Sequence, residues 1–271
     1  MFEVRGLKIY ISVDFEGIAG IVLNEQIIRG NPLYEESRKI VTDEVNVIVN
    51  SLIKLGIKEI IVKDAHSSGL NFLLNELHSD AVYCLGATKM DNRFPGLDSS
   101  FDGALLIGYH AMGGTKGAVL DHTMSLEEWR ILSLNGNPIG EIGIDSLLFG
   151  MHNVPVLLVS GDDKACEEAR MIMPGIITYE TKTGTARHAA LTKAPKRIHL
   201  DMENVLKNAL DSRISRMPLH MEGPYELTID YHQSSQLDSI FFDGEQSKRL
   251  DAHMGVFKDS SLMRLLATRV M

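Results

Sequence analysis

The spacing of apolar and polar positions predicts a regular alternation of strands and helices over the first two thirds of the chain. Leu7 to Val13 is an alternating apolar run rich in Ile, Tyr and Val, which predicts a buried strand. A helix is expected from about Leu33 to Leu55. Its apolar positions Val41, Val45, Ile48, Leu52 and Leu55 step by four and three along one face, and Gly56 is placed to end it. A strand at Ile57 to Val62 follows, and strand, helix and strand of these lengths form a right-handed crossover with parallel strands. The pattern continues with a short helix near Leu70 to Leu77 and strands at Ala81 to Leu85 and Ala104 to Ile107. Asn135-Gly136, between Trp129 to Leu134 and Asn137 to Ile139, signals a tight hairpin turn. A helix at Ile139 to Met151, a strand at Val154 to Val159 and a helix at Lys164 to Met173 complete this part.

The pattern changes after Thr181. Thr181 to Thr185 reads as a linker, followed by a helix at Arg197 to Leu210, a strand at Tyr225 to Tyr231, an apolar run at Ile240 to Phe242 and a closing helix. The expected fold class is therefore α/β, a mainly parallel sheet flanked by helices, with a smaller C-terminal α+β module. The expected division is 1–181 for a metal-binding catalytic domain and 182–271 for the module.

Composition narrows the functions. The chain has 271 residues, 44% hydrophobic and 23% charged, and a formal charge of -9, which argues against nucleic acid and anionic membranes as partners. Cys84 and Cys166 have no CxxC spacing and fit a reducing compartment. With no apolar run near the ~20 residues of a membrane span and no leader pattern, a cytoplasmic protein is expected.

The chemistry is expected where strands end. Asp14 and Glu16, two apart in extended chain after the first strand, point to one spot, with no Lys or Arg between Lys8 and Arg29 to neutralise them. A shared proton, basic neighbours or a metal must do so, and a metal is the leading choice. The second strand runs into Asp64-Ala65-His66 and the fourth into Gly108-Tyr109-His110, so three buried strands deliver potential ligands at the carboxyl edge, where open parallel sheets bind ligands. Taken singly, each histidine reads as a hydrogen-bonded structural residue; together with Asp14 and Glu16 at the same sheet edge, both read as metal ligands. Glu141, opening a helix among apolar and Gly residues, is a further candidate, although a first-turn Glu also suits the helix dipole. Three carboxylates and two neutral imidazoles total -3, so one divalent ion leaves -1 and two leave +1. A pair ~3.5 to 4 Å apart, bridged by Asp14, would activate water for hydrolysis.

The phrases Ser12-Val13-Asp14-Phe15-Glu16-Gly17, Asp64-Ala65-His66-Ser67, Gly108-Tyr109-His110, His122-Thr123-Met124, Gly140-Glu141-Ile142-Gly143 and Gly161-Asp162-Asp163 occur in that order. Over about Lys8 to Asp163 the chain thereby resembles the D-aminopeptidase family of zinc peptidases found in bacterial dipeptide-transport operons; the C-terminal part resembles it only loosely. The resemblance implies two Zn2+ ions per subunit, cleavage of short peptides from the N-terminus with a preference for D-amino acids such as D-Ala, and a ring-shaped homo-oligomer. It places the metal ligands on Asp14, Glu16, His66, His110 and Glu141 and the catalytic histidine on His122. An imidazole there would stabilise an oxyanion or protonate the leaving amine, while the general base stays open between Glu16 and Glu141. Another metal-dependent hydrolase (an L-peptidase, amidase or phosphoesterase) and a non-catalytic metal-binding module are the alternatives. Gly113 to Gly117 lacks the phosphate-loop spacing and is expected as a loop over the site. Asp162 and Asp163 are expected as helix caps, and contact with a substrate or a neighbouring subunit is the lesser reading of Arg187 and His188.

Overall fold

The computed structural model describes residues 6–270. Strand β1 (Lys8–Val13) leads through a loop into helix α1 (Pro32–Lys54). Asn31 caps α1 by accepting from the Leu33 N–H, Pro32 opens it with a preset φ, and Gly56 ends it at φ +89. Val41, Val45, Ile48 and Leu52 form the expected buried stripe. Strands β2 (Glu59–Asp64), β3 (Val82–Cys84) and β4 (Gly103–Tyr109) follow. The helix expected near Leu70 to Leu77 is instead a loop with one 3-10 turn, Leu74–Glu76. Its backbone groups are taken by distant partners: Arg38 donates to the carbonyls of Asn71 and Phe72, and the Asn71 N–H is bound by Asp64.

Next come β5 (Trp129–Leu134) and β6 (Asn137–Pro138), joined by Asn135 and Gly136, both at positive φ as the hairpin signal requires. Helix α2 (Glu141–Met151), strand β7 (Val156–Asp162) and helix α3 (Asp163–Ile172) match expectation, and Asp162 caps α3 by accepting from the Ala165 N–H. Thr181 to Thr185, expected as a linker, lies inside strand β8 (Ile177–Ala186), which pairs with β9 (Ala189–Thr192). The remainder contains α4 (Pro195–Ser212), β10 (Tyr225–Tyr231), α5 (Ser234–Asp238), β11 (Ser247–Arg249), β12 (Met254–Asp259) and the closing helix α6 (Leu262–Arg269). Ile240 to Phe242 lies in neither helix nor strand.

Seven strands form a sheet in the order β3-β2-β1-β4-β7-β8-β9, parallel except for β9. Its two faces follow the period-two rule: Ile9, Ile11, Val13, Leu105 and Ile107 pack with α1 and α4, whereas Tyr10, Ala104 and Leu106 pack with α2, α3 and the second sheet. That second sheet is antiparallel, ordered β11-β12-β10-β5-β6. The smaller α+β part is therefore present, but it draws β5 and β6 from the first half of the chain, and the boundary expected at 181/182 falls within β8. The chain order explains this: the hairpin leaves the parallel sheet after β4 and re-enters it through α2 and β7.

Candidate active site

Strand order reverses between β1 and β4, and the carboxyl edge at that point is the natural binding crevice of an open parallel sheet. The two strand ends approach closely there. The Asp14 N–H donates to the Ile107 carbonyl at 2.8 Å and the Gly17 N–H to the Gly108 carbonyl at 2.7 Å. A Cβ on Gly17 would lie 2.0 Å from the Tyr109 carbonyl oxygen, so only glycine permits the turn that folds Glu16 back over the edge.

All six residues anticipated from the sequence meet at this edge. Nδ1 of His66 is 3.2 Å from Asp14 Oδ1 and 3.3 Å from Glu16 Oε2. Nε2 of His110 is 3.4 Å from Asp14 Oδ2 and 3.2 Å from Glu141 Oε1. Nε2 of His122 is 3.6 Å from Glu141 Oε1, and its ring stacks on His110 with centroids 3.9 Å apart. Glu141 reaches in because Gly140, in extended conformation, starts α2 one residue before it.

The hydrogen bonds orient all three imidazoles. His66 Nε2 faces the Ile27 carbonyl, His110 Nδ1 the Ala111 carbonyl and His122 Nδ1 the Leu120 carbonyl, at 2.9–3.0 Å. A carbonyl only accepts, so these nitrogens carry the protons, and the remaining nitrogen of each ring faces the carboxylates. Tying the outer nitrogen of a histidine to a carbonyl is how metal ligands are held.

The carboxylates and imidazoles of this pocket shift one another's protonation strongly. Burial and the neighbouring Glu16 push Asp14 up to about 7. Burial opposes ionisation of Glu16 too, but His66 holds it well below the usual carboxylate range, and His110 likewise holds Glu141 down to about 2. Burial lowers His66 and His110, yet the carboxylates facing them raise both well above the ordinary imidazole range. Both oxygens of Glu16 and Nε2 of His110 are buried without a hydrogen-bond partner. Orphaned electron-pair donors converging on one point are costly unless a cation joins them. The donor atoms of Asp14, Glu16 and His110 lie within 4.8 Å of one another, as do those of His110, His122 and Glu141. The residues present thus fit a divalent metal, and His110 stands between the two sets.

Several supporting residues were not anticipated. Arg93 forms a two-pronged ion pair with Asp145 at 2.5 and 3.0 Å, approaches Glu141 Oε2 at 3.8 Å, and shares Asp145 with the Tyr109 hydroxyl. The Met124 N–H donates to Glu141 Oε1 at 2.7 Å. Lys182 is fully buried and donates to the carbonyls of Glu16, Ile18 and Ile21, while the Thr181 hydroxyl donates to the Gly17 carbonyl. These β8 residues clamp the loop that carries Glu16. Alternating Thr at 181, 183 and 185 was the signal for that strand.

A cavity of about 420 Å3 adjoins His122, lined also by Asp121, Leu126, Trp129, Arg130, Arg187 and His232. A larger one of about 680 Å3, lined by residues such as Asp243 and Arg264, belongs to the second sheet and shares no residue with the cluster.

A buried carboxylate and imidazole cluster at the crossover edge of a parallel sheet, opening into a cavity, is the arrangement of a metal-dependent hydrolase. The family model described as D-aminopeptidase matches residues 7–269, and the chain belongs to that family. It is 33% identical over 232 residues to a D-aminopeptidase of Bacillus subtilis strain 168, covering 86% of this chain and 84% of the relative. Among solved structures it is similar to the Zn-dependent D-aminopeptidase DppA from Bacillus subtilis, described as a self-compartmentalizing protease. There the identity is 29%, the coverage is 97% of this chain and 99% of that one, and the TM-score is 0.87.

Proposed function

We propose that this chain is a zinc-dependent aminopeptidase that removes N-terminal residues, D-alanine among them, from short peptides. The observation that carries the proposal is the convergence of the unpaired buried atoms of Glu16 and His110 with the Asp14 carboxylate, beside His66 and Glu141. These five residues are the proposed ligands of two Zn2+ ions, and His122 is the proposed catalytic residue. When bound, zinc supplies Lewis acidity and lowers the pKa of water to near neutrality.

The chain's own residues do the rest. Asp14 and Glu16 offer the negative charge that would also receive a substrate's free amino terminus. His122 keeps its Nδ1 proton on the Leu120 carbonyl, so Nε2 is the atom that exchanges protons with the reacting groups. Burial and the adjacent His110 lower its pKa below the ordinary imidazole value, so it is neutral at pH 7 and able to take up a proton and pass it to the leaving amine. The likeness to a self-compartmentalizing protease supports assembly as a homo-oligomer. Among the described residues no helix is long and apolar enough to cross a membrane.

The test is elemental analysis of purified protein together with hydrolysis of D-Ala-D-Ala, L-Ala-L-Ala and a phosphate ester, before and after chelation. Zinc near two ions per chain and chelator-sensitive release of D-Ala are expected. Turnover of the ester alone would replace the peptidase reading with a phosphoesterase.

A further inference from the structure

The cavity beside His122 has a wall made by a residue that no motif singled out. Arg187 lies in the turn between β8 and β9 and reaches back to the loop that bears His122. Its Nη1 donates to the carbonyl and to Oδ1 of Asp121, and its own carbonyl accepts from the Leu120 N–H at 3.0 Å. Asp121 is consumed by these contacts, because its Oδ2 accepts from the Gly114 N–H at 2.8 Å. Arg187 is not consumed: among the described residues its Nε and Nη2 make no hydrogen bond, and its side chain is 39% exposed. The other cavity arginine differs, since Arg130 spends both Nε and Nη2 on Asp230. A guanidinium oriented by an aspartate on one edge, with its remaining donors open, is a preformed fork for a second carboxylate.

The position of the cavity says which part of a substrate it meets. His122 serves the leaving amine, so the space on its far side receives the residue that leaves. Leu126, Trp129 and Ile131 give that space an apolar wall, and its volume of about 420 Å3 is at the small end of the roughly 300–1,000 Å3 range of ligand pockets. In a dipeptide the leaving residue ends in a free carboxylate.

Resting on the aminopeptidase reading, we infer that this cavity is the leaving-residue subsite and that Arg187 binds the C-terminal carboxylate of a very short peptide there. Arg187 then has two parts, holding the His122 loop through Asp121 and Leu120 and selecting substrates that end one residue past the cleaved bond.

The two parts separate experimentally by comparing D-Ala-D-Ala with its C-terminal amide. The zinc-loaded wild type is expected to favour the free acid by about tenfold or more in kcat/KM, carried by KM, as loss of a charge-assisted hydrogen bond predicts. Arg187→Met is expected to bring the ratio to about one, and Arg187→Lys to restore part of it. A wild type without preference, or an Arg187→Met variant in which both substrates fall equally through kcat, overturns the inference. If neither substrate turns over, the aminopeptidase reading fails by itself. Calorimetric binding of the same two peptides to wild type and Arg187→Met then decides the subsite: a preference for the acid that the variant abolishes upholds it, and equal binding overturns it.

Discussion

His110 and His122 stack face to face at 3.9 Å, yet different kinds of structure hold them. His110 follows directly on β4, in the middle of the parallel sheet, and is 1% exposed. Asp14 follows β1 in the same way. Their positions come from strand pairing, and Gly17 and Gly108 let the two ends close on each other. His122 sits in a long loop between Leu120 and Met124, both at positive φ, a conformation that costs a non-glycine residue about 1–2 kcal/mol. Contacts from far away offset that cost. Asp162 accepts from Val119, Arg187 grips Leu120 and Asp121, and Glu141 accepts from Met124. The proposed ligands Asp14, His66 and His110 are thus placed by the sheet edge, while the proposed catalytic histidine is held by contacts from distant parts of the chain.

Replacing one histidine of the stacked pair at a time tests that distinction and carries the largest effects. His110→Ala removes a donor shared by both ligand sets and leaves Asp14 and Glu141 facing each other unrelieved. Zinc content is expected to fall by at least one ion per chain, and peptide hydrolysis by at least about 10³-fold, the equivalent of several kcal/mol of lost transition-state stabilisation. His122→Ala is expected to keep its zinc and to lose about 10²–10⁴-fold in kcat, the usual contribution of a proton-transferring side chain. Elemental analysis and steady-state kinetics on the two variants decide it. Equal zinc loss in both would put His122 among the ligands and erase the comparison.

A smaller effect sharpens it from the ligand side. Lys182 has no contact with His122 but binds three carbonyls of the loop that follows Glu16. Lys182→Met removes these donors while keeping most of the side-chain volume. Zinc affinity, measured by competition with a chromogenic chelator, is expected to weaken about 10–100-fold, in line with loss of a group that orients a ligand. At saturating zinc, kcat is expected to stay within a few-fold of wild type. A fall in kcat without a change in zinc affinity would assign Lys182 to the catalytic loop instead.

The same contrast explains what was legible in the sequence. Asp14, Glu16, His66 and His110 stand immediately after apolar runs, so local periodicity placed them at one edge, and Glu141 was visible as the opening of a buried helix. His122 was not marked by any element of its own and came only from the family resemblance. Arg93 and Lys182 were missed because each works through a partner dozens of residues away, Asp145 for Arg93 and Glu16 for Lys182; Arg187 was noted only as a lesser candidate for contact with a substrate or a neighbouring subunit, because its partner Asp121 is as distant. Thr181 to Thr185 looked like a linker because its inward positions carry Thr and Lys rather than aliphatic side chains. Their burial is stabilised by hydrogen bonds to the loop that carries Glu16, which periodicity cannot register.

Glu168 gives the smallest effect and tests the join between the two regions. It lies on α3, accepts from the Met112 N–H at 2.7 Å, two residues past His110 where the strand end becomes loop, and leaves Oε1 buried without a partner. Burial pushes its pKa up to about 7 from an ordinary 4.5. The neutral form is the one the fold accommodates, so its stabilisation is fully present below pH 4.5 and is lost as the pH rises through 7. Glu168→Gln fixes the neutral state and can still accept from Met112. The variant is expected to melt close to wild type near pH 4.5 and on the order of 1 kcal/mol more stably above pH 7, about 2–4 °C in a chain of this size. Scanning calorimetry across pH 4.5 to 8.5 on zinc-loaded protein measures the difference, and a constant offset at every pH would show that Glu168 is not the group whose ionisation strains the junction.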